Sequence, residues 1–231
     1  MTTHIQEVTA TGSTEEGLRL NLGAGKVKKE GFLSVDSRRL DQTDIVCDLF
    51  VVPWPWADNS VDALYASHLV EHIPHILRRQ GPIDHKYPII SEYNMRTLEH
   101  DCILLGCTRP QPEPIWDEDG FFVFFREAWR VLKPGGTFEL LGPYGRSVGA
   151  DQDPTHTRAI TEITFSYLWQ HEDNENFDYQ LGYQFTCEAF NLVPHEDWAK
   201  VAEESPEQFQ NAVRHFWNVV HSFQAVLKAV K

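Results

Sequence analysis

The sequence has no long apolar run and no sign of a secretion signal. No stretch approaches the roughly 20 consecutive apolar residues that a membrane span needs, so we expect no membrane partner. The first residues lack the basic region and the apolar stretch that mark a signal peptide. These absences predict a soluble, cytoplasmic protein.

Basic residues are also scarce relative to acidic ones. The chain has 20 lysines and arginines against 34 aspartates and glutamates, which gives a formal net charge of -14 at pH 7. Binding along a nucleic-acid backbone needs a face rich in lysine and arginine. The charge balance therefore disfavours nucleic acid as a partner and favours a small molecule or a protein.

Cysteines are few and form no framework. Cys47, Cys102, Cys107 and Cys187 include no C-x-x-C pair and no regular spacing. We therefore expect reduced, structural thiols.

The length and composition predict one domain over residues 1–231. With 42% hydrophobic residues, the chain can bury a single large core. Residues 1–16 are polar and aperiodic, which predicts a loose leader. Residues 78–118 are broken repeatedly by proline and glycine, which predicts an insertion that acts as a lid or binds an acceptor. The apolar residues in 87–105 are enough for one helix within this insertion.

A strand, a glycine turn and a second strand stand near the beginning of the chain. Alternating leucines predict a strand over about 17–22, and Gly23 and Gly25 then allow positive φ angles and a close approach of a ligand to the backbone. Phe32–Asp36 predicts the second strand. Because open α/β sheets bind ligands at the carboxyl ends of their strands, Asp36 is well placed to accept hydrogen bonds from ribose hydroxyls.

The connection between these two strands is short. It has only about nine residues, whereas a parallel crossover usually takes a dozen or more and contains a helix. Any helix after Gly25 is therefore expected to be rudimentary, with Lys26–Lys29 as its remnant.

The rest of the chain alternates strand and helix patterns. Further strands are expected at about 44–49, 61–66, 137–141, 183–193 and 219–230, and helices at 67–73, at 121–133 and from Thr161 or Thr164 to Trp169. Ser67 is the expected N-cap of the first helix, which Pro74 limits, and Pro134-Gly-Gly136 is expected to end the second. The two prolines of Val51–Trp56 exclude a central strand and predict a rigid loop. Residues 194–207 are expected to be a polar segment that turns outward.

Six motifs stand in order along the chain. They are Leu20-Asn-Leu-Gly-Ala-Gly25, Val35-Asp36, Cys47-Asp-Leu49, Trp56-Ala-Asp-Asn-Ser-Val-Asp62, Ser67-His-Leu-Val-Glu-His72 and Glu127-Ala-Trp-Arg-Val-Leu-Lys-Pro-Gly-Gly136. This series resembles class I S-adenosylmethionine-dependent methyltransferases, and among them the methyltransferase type 11 group with its phage-associated and uncharacterised members. The resemblance covers about residues 18–141, over half of the chain.

The resemblance implies a fold, a cofactor and a reaction. The fold is a Rossmann-like α/β domain with a seven-stranded, mostly parallel sheet and an antiparallel last strand. The cofactor is S-adenosyl-L-methionine, and the reaction is transfer of its methyl group to a small-molecule or protein acceptor.

The resemblance also implies which residues bind the cofactor. Gly23 and Gly25 would pass close to its methionine part, with Asn21 and Ala24 in the same segment. Asp36 would hold the ribose hydroxyls, Asp48 and Leu49 would face the adenine, and Ser67 and His68 would lie beside the sulfonium.

Three departures from the family pattern keep other interpretations open. Asn21 stands where the family often has an acid, Val27 or Lys28 occupies the place of a third glycine, and the first crossover is short. A catalytically inactive protein that binds S-adenosylmethionine or a partner with the same fold is the alternative. A dinucleotide-binding oxidoreductase is a third interpretation, which the missing glycine and the short crossover disfavour.

The segment His68-Leu-Val-Glu-His72 matches the H-x-x-E-H pattern that places two histidines on one helix face in some zinc peptidases. No separate third ligand is identifiable and Pro74 interrupts the helix, so we expect no metal. The favoured interpretation is that His68 borders the active cleft, whereas Glu71 and His72 support the helix or face the substrate.

The loop after the fifth strand lies at the edge where an acceptor would bind. Its polar residues are Tyr144, Arg146, Asp151, Asp153 and His156. If the acceptor must lose a proton, His68 and His156 are the candidate bases, because imidazole titrates near neutrality. Alignment and desolvation alone can also suffice for methyl transfer from a sulfonium.

Two groups of aromatic residues are candidates for an acceptor wall. Trp54 and Trp56 are the expected site residues, because they stand in the proline loop beside the carboxyl edge. The cluster Phe121–Phe125 is instead expected in the core, since aromatic residues at helical spacing are usually buried.

Overall fold

The structure, a computed structural model, describes residues 17–79, 118–168 and 181–231. The strands of this part are β1 (Arg19–Leu22), β2 (Leu33–Asp36), β3 (Ile45–Val46), β4 (Val51–Val52), β5 (Val61–Ser67), β6 (Arg78–Arg79), β7 (Leu132–Pro143), β8 (Gln184–Pro194) and β9 (Val220–Val230). Its helices are α1 (Gly120–Val131), α2 (Val148–Asp151), α3 (Glu196–Glu204) and α4 (Pro206–His215), with 3₁₀ turns at Val70–His72 and Thr164–Leu168. The predicted leader, the helix predicted at 87–105 and the thiols Cys102 and Cys107 lie outside the described residues.

Seven strands form one sheet in the order β3-β2-β1-β5-β7-β9-β8. The first five of these strands run parallel to their neighbours, as in the pairing of Ala66 with Leu140. Strand β9 runs antiparallel to both β7 and β8, and Phe138 pairs with Leu227 across the first of these contacts. The expected seven-stranded, mostly parallel sheet with an antiparallel last strand is confirmed. Strands β4 and β6 form a separate two-stranded sheet.

Helix α1 carries the largest aromatic part of the core. It begins where the Asp119 carboxylate accepts a hydrogen bond from Phe121 N (2.8 Å), which satisfies one of the amides that a helix start leaves free. Its apolar face is fully buried, and the Phe125 ring lies 5.8 Å from Phe138 on β7 and 6.0 Å from Phe165, centroid to centroid. The core position expected for these phenylalanines is confirmed.

Trp54 belongs to the core and not to a ligand site. Its side chain is only 2% exposed, its backbone N–H donates to Glu127 Oε2 (2.8 Å), and its indole N–H donates to Leu49 O (3.0 Å). Arg130 of α1 donates to the carbonyls of Trp54 and Trp56, at 3.0 and 2.9 Å. The expectation that Trp54 lines the site is therefore wrong, because the proline loop turns inward against α1.

The predicted helix over 67–73 is also wrong. Strand β5 continues through Ser67, so Ser67 is not an N-cap, and a single 3₁₀ turn without a side-chain cap follows. His68 has a positive φ of 54°, which breaks a right-handed helix. Pro74 then holds Ile73 in an extended conformation (ψ 116°), so only three residues remain for a turn.

Three other segments also have a secondary structure different from the one expected. Pro134-Gly-Gly136 does not end a helix, since β7 starts at Leu132 and runs through it. The helix expected up to Trp169 is a 3₁₀ turn over Thr164–Leu168, and Trp169 lies outside the described residues. Residues 194–207 contain α3 and the start of α4 instead of an irregular outward turn. The connection from Gly25 to β2 has no helix, not even the rudimentary one expected at Lys26–Lys29.

Two further expectations concern thiols and membranes. Cys47 and Cys187 are free thiols, and burial together with the charge of Asp48 raises the pKa of Cys47 to about 11, so it stays protonated at neutral pH. Within the described ranges, no helix is long and apolar enough to cross a membrane.

Candidate active site at the carboxyl edge of the sheet

The candidate site lies where the strand order changes direction. Within the sheet, β2 and β3 lie on one side of β1, while β5 and β7 lie on the other side of it. Open α/β sheets bind ligands at such a switch point, outside the carboxyl ends of the strands. Gly23 follows β1 and His68 follows β5, so both flank this point. A Cβ on Gly23 would lie 2.9 Å from Leu69 Cδ1, so glycine is needed for the two segments to pack together.

The glycine turn after β1 is held by hydrogen bonds and borders open space at Gly25. Gly23 and Gly25 have φ angles of +63° and +55°, which favour glycine at both positions. Asn21 is buried and donates from Nδ2 to Val27 O (3.2 Å), and Ala24 N donates to Val35 O (2.9 Å). A Cβ on Gly25 would meet nothing within 4 Å. The turn is therefore fixed in shape while Gly25 borders free space.

Asp36 closes the turn against β2. Its Oδ2 accepts a hydrogen bond from Gly25 N and its Oδ1 accepts one from Arg38 N, both at 2.9 Å. The residue is only 6% exposed. Arg38 Nε also lies 3.5 Å from Oδ1, so the oxygen that keeps a free lone pair for a ligand is Oδ2.

Asp48 and Leu49 stand at the same edge, after β3. Asp48 Oδ1 accepts from Phe50 N (3.0 Å), which shapes the turn into β4, and Leu49 is buried beneath it. One side of the switch point is thus shared by Asn21, the glycine turn, Asp36, Asp48 and Leu49, with the Arg38 side chain paired to Asp36.

A pocket of about 220 Å³ lies on the other side of the switch point, and we call it the histidine pocket. It is lined by His68, His72, Pro143, Gly149, Gln152, Asp153, His156 and His221. Both histidines predicted as bases are therefore in one cavity, with two of the chain's other histidines. Its volume is below the usual 300–1,000 Å³ of sites for drug-sized ligands, so it accommodates a small acceptor or the reacting end of a larger one.

His68 projects from the end of β5 with its backbone fixed. Its N–H donates to Leu141 O (2.9 Å), and its ring Nδ1 lies 3.3 Å from Glu71 Oε1. The interaction with Glu71 raises the pKa of His68 above 6.5, although partial burial opposes this effect. The ring is 61% exposed, so it remains accessible to a substrate.

Glu71 is a buried carboxylate without a hydrogen bond. Its side chain is 1% exposed, and neither Oε1 nor Oε2 meets the criteria for a hydrogen bond among the described residues, although the His68 ring lies 3.3 Å from Oε1 and can form an ion pair with it. Oε2 lies near β7, where a Cβ on Gly142 would come within 3.3 Å of it. Burying an ionised carboxylate without partners is costly, so this arrangement needs an explanation.

His72 and His156 lie next to each other with one ring nitrogen of each already used. Their ring centroids are 4.6 Å apart. His156 Nδ1 donates to Ala150 O (2.7 Å), because a carbonyl can only accept. Thr155 Oγ1 donates its only hydrogen to Asp153 Oδ1 (2.7 Å) and therefore accepts from His72 Nδ1 (3.0 Å). In both neutral rings the lone pair is consequently on Nε2.

The loop that carries His156 is fixed to the 3₁₀ turn that carries His72. Thr157 N donates to Glu71 O (2.8 Å), and Thr157 Oγ1 donates to Ile73 O (2.6 Å). Arg158 donates from Nη2 to Ile73 O and from Nη1 to Asp119 Oδ1, both at 3.0 Å. These contacts hold His156 beside Glu71 across more than 80 residues of sequence.

Not every polar residue of this loop faces the pocket. Tyr144 is buried and donates to Glu162 Oε2 (2.9 Å), and desolvation together with Glu162 raises its pKa to about 12. Arg146 donates to the carbonyls of Val213 and Arg214 in α4. Both residues therefore support the fold, whereas Asp153 and His156 line the pocket.

The sequence reasoning missed two pocket residues as site candidates. His72 stood in the H-x-x-E-H pattern, so its signal was present but was assigned to helix support or substrate. His221 had no signal, because an exposed histidine in an alternating strand looks like any other outward residue. Its place in the site follows only from the pairing of Ser222 with Pro143.

No family model matches this chain, and no curated protein matches it. It is similar to a solved SAM-dependent methyltransferase from Archaeoglobus fulgidus, with 13% identity, a TM-score of 0.47, and coverage of 92% of this chain and 86% of that one. Methyltransferases from Mesorhizobium loti (12% identity, TM-score 0.41, coverage 94% and 93%) and Methanosarcina mazei (11%, 0.43, 94% and 94%) are similar as well.

The strand order and strand directions settle the fold. The chain has a class I methyltransferase fold. This fold alone identifies neither the acceptor nor the chemistry, since one fold serves many reactions.

Proposed function

We propose that the protein transfers a methyl group from S-adenosylmethionine to a small-molecule or protein acceptor. One observation carries this proposal: the glycine turn and the histidine pocket adjoin across the switch point between β1 and β5. A donor bound along the turn would present its methyl group toward the pocket, where the acceptor binds. Holding two reactants in line in this way removes much of the barrier to a bimolecular transfer.

The donor side is assigned residue by residue. Gly23, Ala24 and Gly25 would border the methionine part, supported from below by Asn21, and the open space at Gly25 supports this assignment. The free lone pair on Asp36 Oδ2 would accept from a ribose hydroxyl.

Asp48 and Leu49 would contact the adenine at the carboxyl end of β3. Ser67 and His68 would lie beside the sulfonium at the end of β5. Among the described residues, no lysine or arginine lines the histidine pocket, which suits a cationic donor.

On the acceptor side, His68 and His156 are the proposed bases. An acceptor O–H or N–H gives its proton to a ring nitrogen, and its lone pair forms the bond to the methyl carbon. The carbon–sulfur bond breaks with its electron pair going to sulfur, so the neutral demethylated product leaves. His156 has its Nε2 lone pair oriented by the bond from Nδ1 to Ala150 O, which suits this role.

A catalytically inactive protein that binds S-adenosylmethionine is the alternative. One observation favours it: both oxygens of Asp36 already accept backbone hydrogen bonds, so this carboxylate has a structural use without any ligand. Saturable donor binding without methyl release in the presence of candidate acceptors would support the alternative.

The direct test is calorimetric titration of the full chain with S-adenosylmethionine and with its demethylated product. We expect saturable binding of both, and at least about tenfold weaker binding to Asp36→Asn, which loses one charged acceptor for the ribose. Asp44→Asn is the matched control, because Asp44 also accepts a backbone hydrogen bond from β2 (Ser34 N, 2.8 Å) but stands before β3. Absence of binding to the wild type, or equal loss in both variants, would contradict the proposed donor site.

A further inference from the structure

Two histidines that line the histidine pocket and a buried glutamate next to them form a set of potential metal ligands that the proposed methyl transfer does not explain. Glu71, His72 and His156 each offer one ligand atom, and these atoms all lie within 4.8 Å of one another. Ligands bonded to zinc at about 2.0–2.2 Å lie at most about 4.4 Å apart, so small ring rotations bring the three into coordination distance. The earlier expectation of no metal depended on the lack of a third ligand, which His156 supplies from the loop after β7.

The protonation of the two rings is that of metal ligands. In each ring Nδ1–H is donated within the protein, His156 to Ala150 O and His72 to Thr155 Oγ1, and Thr155 in turn donates to Asp153. Metal-binding histidines almost always have such an outer hydrogen bond, which fixes the tautomer and orients Nε2. With Nδ1 used in this way, the Nε2 atom of each ring is the one left to bind an ion.

Glu71 gives the independent observation. Its carboxylate is 1% exposed and has no hydrogen-bond partner among the described residues. The neighbouring His68 ring lies 3.3 Å from Oε1 but is itself largely exposed, and it leaves Oε2 without a partner. A cation held between Glu71 and the two rings would neutralise this buried charge.

We propose that Glu71, His72 and His156 bind a zinc-type divalent cation in the histidine pocket, with its remaining coordination positions open to the cavity. Two imidazoles and one carboxylate suit transition metals such as zinc, whereas magnesium and calcium prefer oxygen ligands. Three protein ligands with an open position are the arrangement of catalytic zinc sites.

The use of the ion rests on the proposed function, although ion binding itself does not. An acceptor oxygen bound at the open position loses its proton more readily, because the cation stabilises the anion. With the ion bound, His156 Nε2 is a ligand and no longer a base, which leaves His68 at the mouth of the site to take the proton.

The test is calorimetric titration of chelator-treated full-length protein with Zn²⁺, in the absence of S-adenosylmethionine. We expect one ion per chain with a dissociation constant of about micromolar or lower. Co²⁺ as a second probe should give visible absorption bands that Zn²⁺ abolishes by displacement. Mg²⁺ at about 1–5 mM should not compete with Zn²⁺ for the site.

Three variants and one control locate the site. Glu71→Gln, His72→Gln and His156→Gln should each weaken Zn²⁺ binding by about tenfold or more, since each removes a ligand. His221→Gln, in the same pocket but outside the cluster, should bind as the wild type does. His68→Gln should also retain Zn²⁺, which separates a metal site from a simple Glu71–His68 ion pair.

Thermal unfolding distinguishes the loss of a ligand from a folding defect in the variant. Metal-free Glu71→Gln should unfold at the same temperature as the metal-free wild type or higher, because an amide of the same shape replaces a buried charge. Zn²⁺ should raise the unfolding temperature of the wild type and not that of this variant.

No saturable binding by the wild type, retention of binding in Glu71→Gln and His156→Gln, or a preference for Mg²⁺ would overturn the proposal. If the metal-free protein still binds S-adenosylmethionine, each of these three outcomes contradicts the metal site alone and not the proposed function.

Discussion

At the scale of single residues, the site depends on side chains whose contacts come from distant parts of the chain. Asp36 holds Gly25 through its carboxylate, and Thr157 holds the loop of His156 to Glu71 O. Local sequence predicted the glycine turn and the place of Asp36 at the end of β2, but not the bond between Asp36 and Gly25. It did not predict the second contact either, since nothing near Thr157 indicates a partner 86 residues away.

The glycine turn gives a prediction that separates strain from ligand binding. Gly25 and Gly182 both have positive φ, +55° and +71°, and a Cβ on either would meet nothing within 4 Å. Gly25→Ala and Gly182→Ala should therefore each lower the free energy of unfolding by about 1–2 kcal/mol, the cost of a left-handed conformation for alanine. Only Gly25→Ala should weaken S-adenosylmethionine binding, because its methyl group enters the proposed donor space.

Denaturant unfolding and calorimetry on the two variants check this prediction. Equal donor affinities for Gly25→Ala and Gly182→Ala would show that the open space beside Gly25 is not used by the donor.

At the scale of elements, one aspartate connects the start of α1 to the 3₁₀ turn and to the acceptor loop. Asp119 caps α1 at Phe121 N, accepts from Arg158 Nη1 (3.0 Å) and contacts His75 Nδ1 (2.8 Å). Burial raises the pKa of Asp119, but the bonds from His75, Phe121 and Arg158 outweigh it, so the pKa lies below 3.8. Its ionised form is the one that the fold stabilises.

Asp119→Ala should lower the free energy of unfolding by about 1–2 kcal/mol, from the lost cap and the charged hydrogen bond. Because the folded pKa is depressed, this contribution is present above pH 3.8 and is lost as the pH falls through the folded pKa. The stability difference between wild type and variant should therefore shrink below pH 3.8. Urea unfolding at a series of pH values checks it, and a difference independent of pH would assign the effect to something other than this carboxylate.

The elements that the sequence predicted well are those with dense periodic signals. The leucines of β1, the phenylalanines of α1 and the alternation of β9 all repeat at the spacing of their element. Helices α3 and α4 were missed, because Phe209, Ala212 and Val213 are a sparse stripe in a charged stretch. The helix expected after Ser67 failed because a positive φ at His68 is a tertiary feature, set by the bond from its N–H to Leu141 O.

At the scale of the whole molecule, one face of the sheet holds the main core and the other is more open. Along β9 the residues Phe223, Ala225 and Leu227 are fully buried, whereas Val226 between them is half-buried. Leu227→Ala should thus cost about 2–5 kcal/mol of stability, and Val226→Ala less than about 1 kcal/mol. Thermal or denaturant unfolding measures both, and similar losses would mean that the open face is also packed.

The strand β9 could be predicted from its alternation, and its antiparallel direction from the family resemblance. The position of Trp54 in the core could not, because an aromatic residue between prolines fits a buried anchor and a ligand wall equally well. The histidine pocket could not be predicted either. Its histidines come from the end of β5, the 3₁₀ turn after it, the loop after β7 and the start of β9. Only the fold brings them together.

The central claim is that a donor on the glycine turn reaches the histidine pocket across the switch point. It is tested most directly by titrating S-adenosylmethionine into metal-free protein with isotope-labelled histidine rings and following the ring signals by NMR. The account predicts saturable changes in the signals of His68, beside the proposed sulfonium position, and none in His215, on α4 outside the pocket. Saturable binding that leaves the His68 ring unchanged, or no binding at all, would contradict it.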